Sequence, residues 1–142
     1  MSTFTYPVDV TEDEDGGFLA GLPDWDHVTQ GNTRDEALTM AEDMLLTLLS
    51  AHIAERLDIP APSAAAGRPV VAPGPGVAAK ANLYLVWRNA AISKAELGRR
   101  LGAGPQVVAR LFDPRHASRI EEIEKAMRAL GKTLVVDVRD AA

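Results

Sequence analysis

The chain has 142 residues, 46% of them apolar and 25% charged, with a formal net charge of −5; this describes one ordinary folded domain or two small ones, and excludes a disordered chain. It holds no cysteine, which excludes disulfides and thiolate metal sites and fits a reducing cytoplasm. The start, MSTFTYPVDV, lacks the basic and apolar regions of a signal peptide, and no apolar run approaches the roughly 20 residues that span a bilayer, so a cytoplasmic location is expected.

TFTYPVDV alternates, placing Phe4, Tyr6, Val8 and Val10 on one face of a strand. TEDEDGG follows as a polar turn ending in Gly16-Gly17, then FLAGL as a second strand, so a hairpin is expected. HVTQG reads as a third strand. Thr33-Arg34-Asp35-Glu36 has the form of a capping box and opens a helix. Ala37, Met40/Ala41, Met44/Leu45, Leu48/Leu49 and Ile53 repeat at helical spacing, and that stripe must lie on the sheet.

DIPAPSAAAGRPVVAPGPG, residues 58–76, holds five of the nine prolines and three glycines. Proline fixes φ and removes a donor, so this stretch reads as a linker, partly flexible, with room for a short edge strand at Val70-Val71. Beyond it VAAKANLYLVWRNA is predicted as a helix with Leu83, Val86 and Trp87 on its apolar face. SKAELGRRL is a second helix capped by Ser93, with Glu96 three residues on. A third opens at Pro105 after Gly102-Ala103-Gly104 and ends near Phe112. SRIEEIEKAMRALG is a fourth, capped by Ser118 with Glu121 completing the box and ended by Gly131. TLVVDV reads as a last strand. The expected class is α+β, with residues 1–76 as a small antiparallel sheet plus helix and linker, and residues 77–142 as a helical domain carrying a terminal strand.

Charge divides along the same boundary. Residues 1–79 carry three basic side chains against thirteen acidic ones, a balance of −10; residues 80–142 carry twelve against seven, a balance of +5. The second half is suited to phosphate and the first to a cationic partner. Within the second half, residues 95–119 hold five arginines against two acids, around a glycine-containing turn between two short helices. That is a helix-turn-helix pattern. Leu97 and Leu101 can pack on Val108 and Leu111, Gly98 leaves room for a close crossing, and Gly102 supplies the positive φ of the turn. Gln106, Ala109 and Arg110 then face outward. Gln106 is placed to reach a base edge, and Arg110, Arg115 and Lys94 to reach phosphates, with His116 beside them. The rival reading is a plain helical bundle with a solvated arginine face; the charge division favours DNA.

These pieces together resemble the HicB family of antitoxins from bacterial toxin–antitoxin pairs, in the subgroup with a C-terminal helix-turn-helix. The likeness is carried by YPVDVTEDEDGGFLAGLPDWDHVTQGNTRDEALTMAEDML in front, IPAPS after the first helix, and ISKAELGRRLG followed by VVARLFDPRHASRIEEIEKAMRALGKTLVVDV behind, and it covers most of the chain. It implies a front domain with a partial ribonuclease-H-like fold that binds and masks a HicA-type toxin, a small messenger-RNA-cleaving ribonuclease. It also implies a back domain that binds operator DNA and represses the operon. Gly104-Pro105 stands where the family often has a small polar cap, and Ala109 where it often has a polar residue. Base readout is therefore expected to lean on Gln106 and on DNA shape.

No catalytic constellation is expected. Glu12–Asp15 are contiguous in a turn, where carboxylates fan into solvent instead of converging on metal ions. His27, His52 and His116 lack metal-ligand spacing, and no phosphate loop is present. No cofactor is expected. In front, Asp24, Trp25 and Asp26 form an aromatic flanked by acids, a candidate anchor for a basic toxin; the competing reading folds Trp25 onto its own sheet. The last strand leaves unpaired backbone groups, so Leu134, Val135, Val136 and Val138 are expected to pair with a second copy across a two-fold axis, or else with the front sheet. The competing function is a helix-turn-helix regulator whose front domain senses a small ligand.

Overall fold

The reversal after Glu12 is built from glycine. In this computed structural model, which describes residues 2–141, the Asp13 N–H donates to Gly17 O at 3.0 Å and the Gly16 N–H to Asp13 O at 3.0 Å. Gly16 and Gly17 hold φ of +96° and +80°, which side chains resist. The turn joins β2 (Asp9–Glu12) to β3 (Phe18–Leu22), and β4 (His27–Gly31) completes a three-stranded antiparallel sheet in the order β2-β3-β4. The register runs from Asp9 opposite Gly21 to Glu12 opposite Phe18, and from Phe18 opposite Gly31 to Leu22 opposite His27. A single 3-10 turn, Pro23–Trp25, links β3 to β4.

One face of this sheet receives α1 (Arg34–Ala54), whose Ala37, Ala41, Leu45, Leu48, Leu49 and Ile53 are buried as the helical spacing requires. Thr33 caps it, its Oγ1 accepting from the Glu36 N–H at 3.1 Å. By length and apolar composition α1 would suffice to cross a bilayer, but here its apolar stripe is spent on Ala20 and Leu22 of the sheet. Helix and strand approach most closely at Gly31, where an added Cβ would lie 2.4 Å from the Ala37 nitrogen.

The proline-rich segment departs from the linker expected of it. It lies along the front half as a strap. Val70 and Val71 form β5 (Val70–Val71), antiparallel to β1 (Tyr6–Pro7), with Tyr6 opposite Val71. The Tyr6 hydroxyl donates to Pro60 O at 2.7 Å, the Ser63 N–H and hydroxyl donate to Asp24 Oδ2 at 2.9 and 3.0 Å, and Arg68 pairs with Asp9 at 3.2 Å. Proline removes donors from the strap itself, so its anchors come from side chains of the domain beneath.

Four helices follow: α2 (Pro75–Asn89), α3 (Lys94–Leu101), α4 (Pro105–Leu111) and α5 (Ile120–Ala129). The described residues therefore make an α+β chain of small antiparallel sheets and five α-helices. α2 buries Leu83, Tyr84, Val86 and Trp87. Two expectations fail here. Ser118 does not cap α5; Arg119 occupies that position, and the Ser118 hydroxyl is buried without a hydrogen-bond partner among the described residues. TLVVDV forms no strand either: residues 132–141 are without regular structure, with Val135, Val136 and Val138 77–90% exposed. It does not pair with the front strands either, which form the sheets β1-β5 and β2-β3-β4.

Gly31→Ala forces its methyl into the backbone of α1, and the expected cost is about 1–3 kcal/mol or more. Urea denaturation of the full chain checks this; a loss within 0.5 kcal/mol contradicts the closeness of the β4–α1 contact.

Candidate functional site

The second and third helices of the back half meet as their sequence demands. Ser93 caps α3, its Oγ accepting from the Glu96 N–H at 3.0 Å. Gly102 ends α3 at φ +63°, its N–H bonded back to Arg99 O and the Ala103 N–H to Gly98 O. The crossing depends on Gly98: a Cβ there would sit 2.9 Å from Ala103 O and 3.2 Å from Val108 Cγ2. Leu97, Val108 and Leu111 are buried in the seam and Leu101 is half-buried. Gly104 then caps α4 without a side-chain bond.

The packing leaves Gln106, Val107, Ala109 and Arg110 of α4 exposed. Gln106, Ala109 and Arg110 lie where the sequence pattern placed them. Val107, 46% exposed, has no role in the sequence reading; its neighbour Val108 is buried, as the helical spacing placed it. The Arg110 guanidinium has no ion pair or hydrogen bond among the described residues. Arg115 donates to Thr47 Oγ1 of α1 at 2.9 Å, and its N–H to Asp113 Oδ1 at 3.0 Å. His116 is exposed. Lys94 is not displayed beside them: its ammonium lies 5.2 Å from the Trp87 ring centre and 4.8 Å from that of Phe112. Burial lowers its pKa, and nearby Arg56 lowers it further. Arg99 and Arg100 are engaged within α3, with Arg99 forking Glu96 at 2.7 and 2.6 Å and Arg100 reaching it at 3.2 Å.

A residue with no role in the sequence reading completes this region. Lys80 of α2 is buried, and its ammonium donates to Arg110 O at 2.8 Å, to Asp113 O at 2.9 Å and to His116 O. Burial lowers its pKa, while Asp113 and Glu122 oppose that shift. The signal available in sequence was a lysine flanked by alanines inside the mostly apolar run VAAKANLYLVW.

In the front half, Trp25 is no surface anchor. It is buried, edge-on to Tyr6 at 5.4 Å and to His52 at 4.9 Å. The 3-10 turn folds its indole inward, and Asp26 permits the fold by taking a left-handed conformation. Asp24 is half-buried and holds the strap through Ser63; Asp26 remains exposed. The open surface here is the sheet face away from α1. By register it presents Asp9, Thr11, Leu19, Gly21, Val28 and Gln30, with Val28 64% exposed. A shallow cleft of about 220 Å³ on this side is lined by Asp9, Leu19, Asp26 and Val28 among others.

Comparison with known proteins adds two findings. A family described as HicB_like antitoxin of bacterial toxin-antitoxin system matches residues 5–73. Over nearly the whole length the chain is similar to Antitoxin HicB 1 and Antitoxin HicB 2 of Photorhabdus laumondii. The first is 34% identical over 139 residues, covering 97% of this chain and 89% of the relative; the second is 38% identical over 130 residues, covering 91% and 92%. Antitoxin HicB of Escherichia coli K12 is 35% identical over 131 residues, covering 91% of this chain and 95% of the relative.

Two outcomes are expected. Gly98→Ala loosens the α3–α4 crossing and lowers the melting temperature of the full chain, whereas Gly76→Ala, which lies inside α2 and meets no atom within 4 Å, does not lower it; equal losses contradict the close approach. Hydrogen bonds from Arg99 and then Arg100 hold the Glu96 carboxyl at about 2, below its ordinary 4.5. Because the folded-state value is depressed, its stabilisation is full above about 4.5 and is lost as pH falls toward about 2. Glu96→Gln is expected to flatten the melting temperature over that window, and superimposable profiles for the two proteins contradict the fork.

Proposed function

The chain belongs to the HicB family of antitoxins, proteins of bacterial toxin–antitoxin systems, and from that premise we propose that it uses two separate surfaces, one to mask its toxin and one to hold DNA. Residues 1–76 are the toxin-binding part, with a partial ribonuclease-H-like arrangement. Residues 77–142 are a helix-turn-helix domain that binds the operator of its own operon and represses it. Cytoplasmic action follows from both roles.

The observation that carries the reading is the exposed face of α4. Gln106, Val107, Ala109 and Arg110 point outward from a helix whose other side is sealed by Leu97, Val108 and Leu111. A helix in the major groove needs such a face. Gln106 offers a bidentate partner for adenine, Val107 and Ala109 offer apolar contact for thymine methyls, and Arg110 offers a phosphate contact. Arg115 and His116 flank it. The basic balance of this half supplies the attraction that a net-acidic chain otherwise lacks.

For the toxin, a ribonuclease that holds phosphate with basic side chains is complementary to the −10 front half. The open sheet face, with Leu19 on its central strand, Val28 on edge strand β4 and Asp9 on the opposite edge strand β2, combines an apolar patch with acids. Asp24 contributes charge while holding the strap. Trp25 acts from beneath, as core. Leu134, Val135, Val136 and Val138 gain their missing partners by pairing with the same segment of a second copy. The two α4 helices are then set for half-sites about 34 Å apart, or a multiple of that.

The test is to express the chain alone and with the product of the neighbouring gene. Rescue of growth, co-purification of the two and retention of the operon's upstream DNA are expected; survival without any physical complex contradicts masking. Arg110→Ala is expected to weaken operator binding and to reduce the slope of log K against log salt by about one unit. An unchanged slope removes Arg110 from the phosphates.

A further inference from the structure

Lys80 sits in the middle of α2 between buried Ala79 and Ala81 and is itself 2% exposed. A lysine is almost never so deep without partners. Here the ammonium's three protons go to three carbonyls: Arg110 O in the last turn of α4, Asp113 O just beyond it, and His116 O in the following turn. The carbonyls at a helix C-terminus have lost their intrahelical donors and carry partial negative charge, so a cation is the complementary group. Two of the three also accept from within the turn, from the Asp113 N–H at 3.2 Å and the His116 N–H at 3.1 Å. His116 O has Lys80 as its donor among the described residues.

What hangs from this segment gives the contact its meaning. Arg110, Arg115 and His116 are the cationic or titratable side chains next to the exposed face of α4, and all three leave the backbone within or beside the stretch that Lys80 holds. From Leu111 to His116 the other constraints are buried Leu111, Phe112 and Pro114, the backbone bonds of the turn itself, the bond from the Arg115 N–H to Asp113, and the Arg115 side chain's bond to Thr47; none of these donates to His116 O.

We propose that Lys80 is a positioning residue for DNA binding: without touching DNA, it fixes the end of α4 and the turn after it against α2, and so sets where Arg110, Arg115 and His116 meet the phosphates. The proposal rests on the reading of α4 as the DNA-contacting helix. A hydrophobic side chain would fill the same space but leave three carbonyls without their common donor, free to take other directions. The burial that disfavours the charged form, opposed by Asp113 and Glu122, fits an ammonium retained for its donors.

The experiment compares three full-length proteins: wild type, Lys80→Met, and Leu83→Ala, a cavity variant of the same helix chosen as a control for lost stability. Each is titrated with the operon's upstream DNA and with random DNA of equal length at several salt concentrations, and amide exchange is followed at residues 112–116. Lys80→Met is expected to lose at least tenfold in operator affinity, to lose most of its preference over random DNA, and to show a shallower salt slope. Exchange is expected to quicken at Asp113 and His116 while the amides of α2 stay protected. Leu83→Ala is expected to melt lower yet keep both preference and slope. Should Lys80→Met not fold, Lys80→Gln retains two donors and is expected to show the same losses in smaller measure. A folded variant at position 80 with wild-type preference, slope and exchange overturns the proposal. Wild type without any preference for the upstream DNA overturns the reading of α4 instead; exchange at 112–116 then still decides the role of Lys80, since no change there removes it.

Discussion

The docking of α2 against both halves of the chain is the contact on which the other features depend. On one side the Tyr84 hydroxyl donates to Leu57 O at 2.6 Å, Arg88 pairs with Asp58 at 2.7 Å, and the Arg56 guanidinium lies 5.4 Å above the Trp87 ring. These groups clamp α2 to the end of α1. On the other side Trp87 packs on Phe112 at 5.3 Å, and Lys80 holds the turn after α4. The buried side chains accordingly form one cluster from Phe4 to Met127. Arg115, in the turn after α4, also reaches Thr47 of α1, so the open sheet face and the exposed face of α4 belong to one continuous body.

This arrangement keeps the two charge populations apart. Among the described residues the ion pair joining the halves is Arg88–Asp58; Arg99 and Arg100 are satisfied by Glu96, and Arg128 by Glu124. Such exposed pairs add little stability, and their value here is in what they leave unspent. Among the described residues Arg110 is exposed and has no ion pair.

Local features were legible in the sequence and distant ones were not. Ser93 and Thr33 cap their helices, Gly98 and Gly102 shape the α3–α4 crossing, and the stripe from Ala37 to Ile53 lies on the sheet, because each depends on neighbours within a few residues. The sequence leaves Trp25 between surface anchor and core because its burial is decided by Tyr6 and by His52, 19 and 27 residues away in sequence. The strap read as a linker because proline content reports missing donors, while Asp24, Tyr6 and Asp9 supply the anchors from the domain below. Lys80 carries no role in the sequence reading because its three acceptors lie 30, 33 and 36 residues further on. TLVVDV has the composition of a strand, but composition cannot provide the second strand that it needs.

Whether one molecule can serve both faces at once tests the central claim most directly. Fluorescence anisotropy of labelled upstream DNA, with the chain bound and the neighbouring gene's product then added to saturation, reads this in a single titration. Two separate surfaces on one body require anisotropy to rise further as a three-component complex forms. A fall to the value of free DNA, with toxin and DNA competing for the same molecule, would contradict the separation.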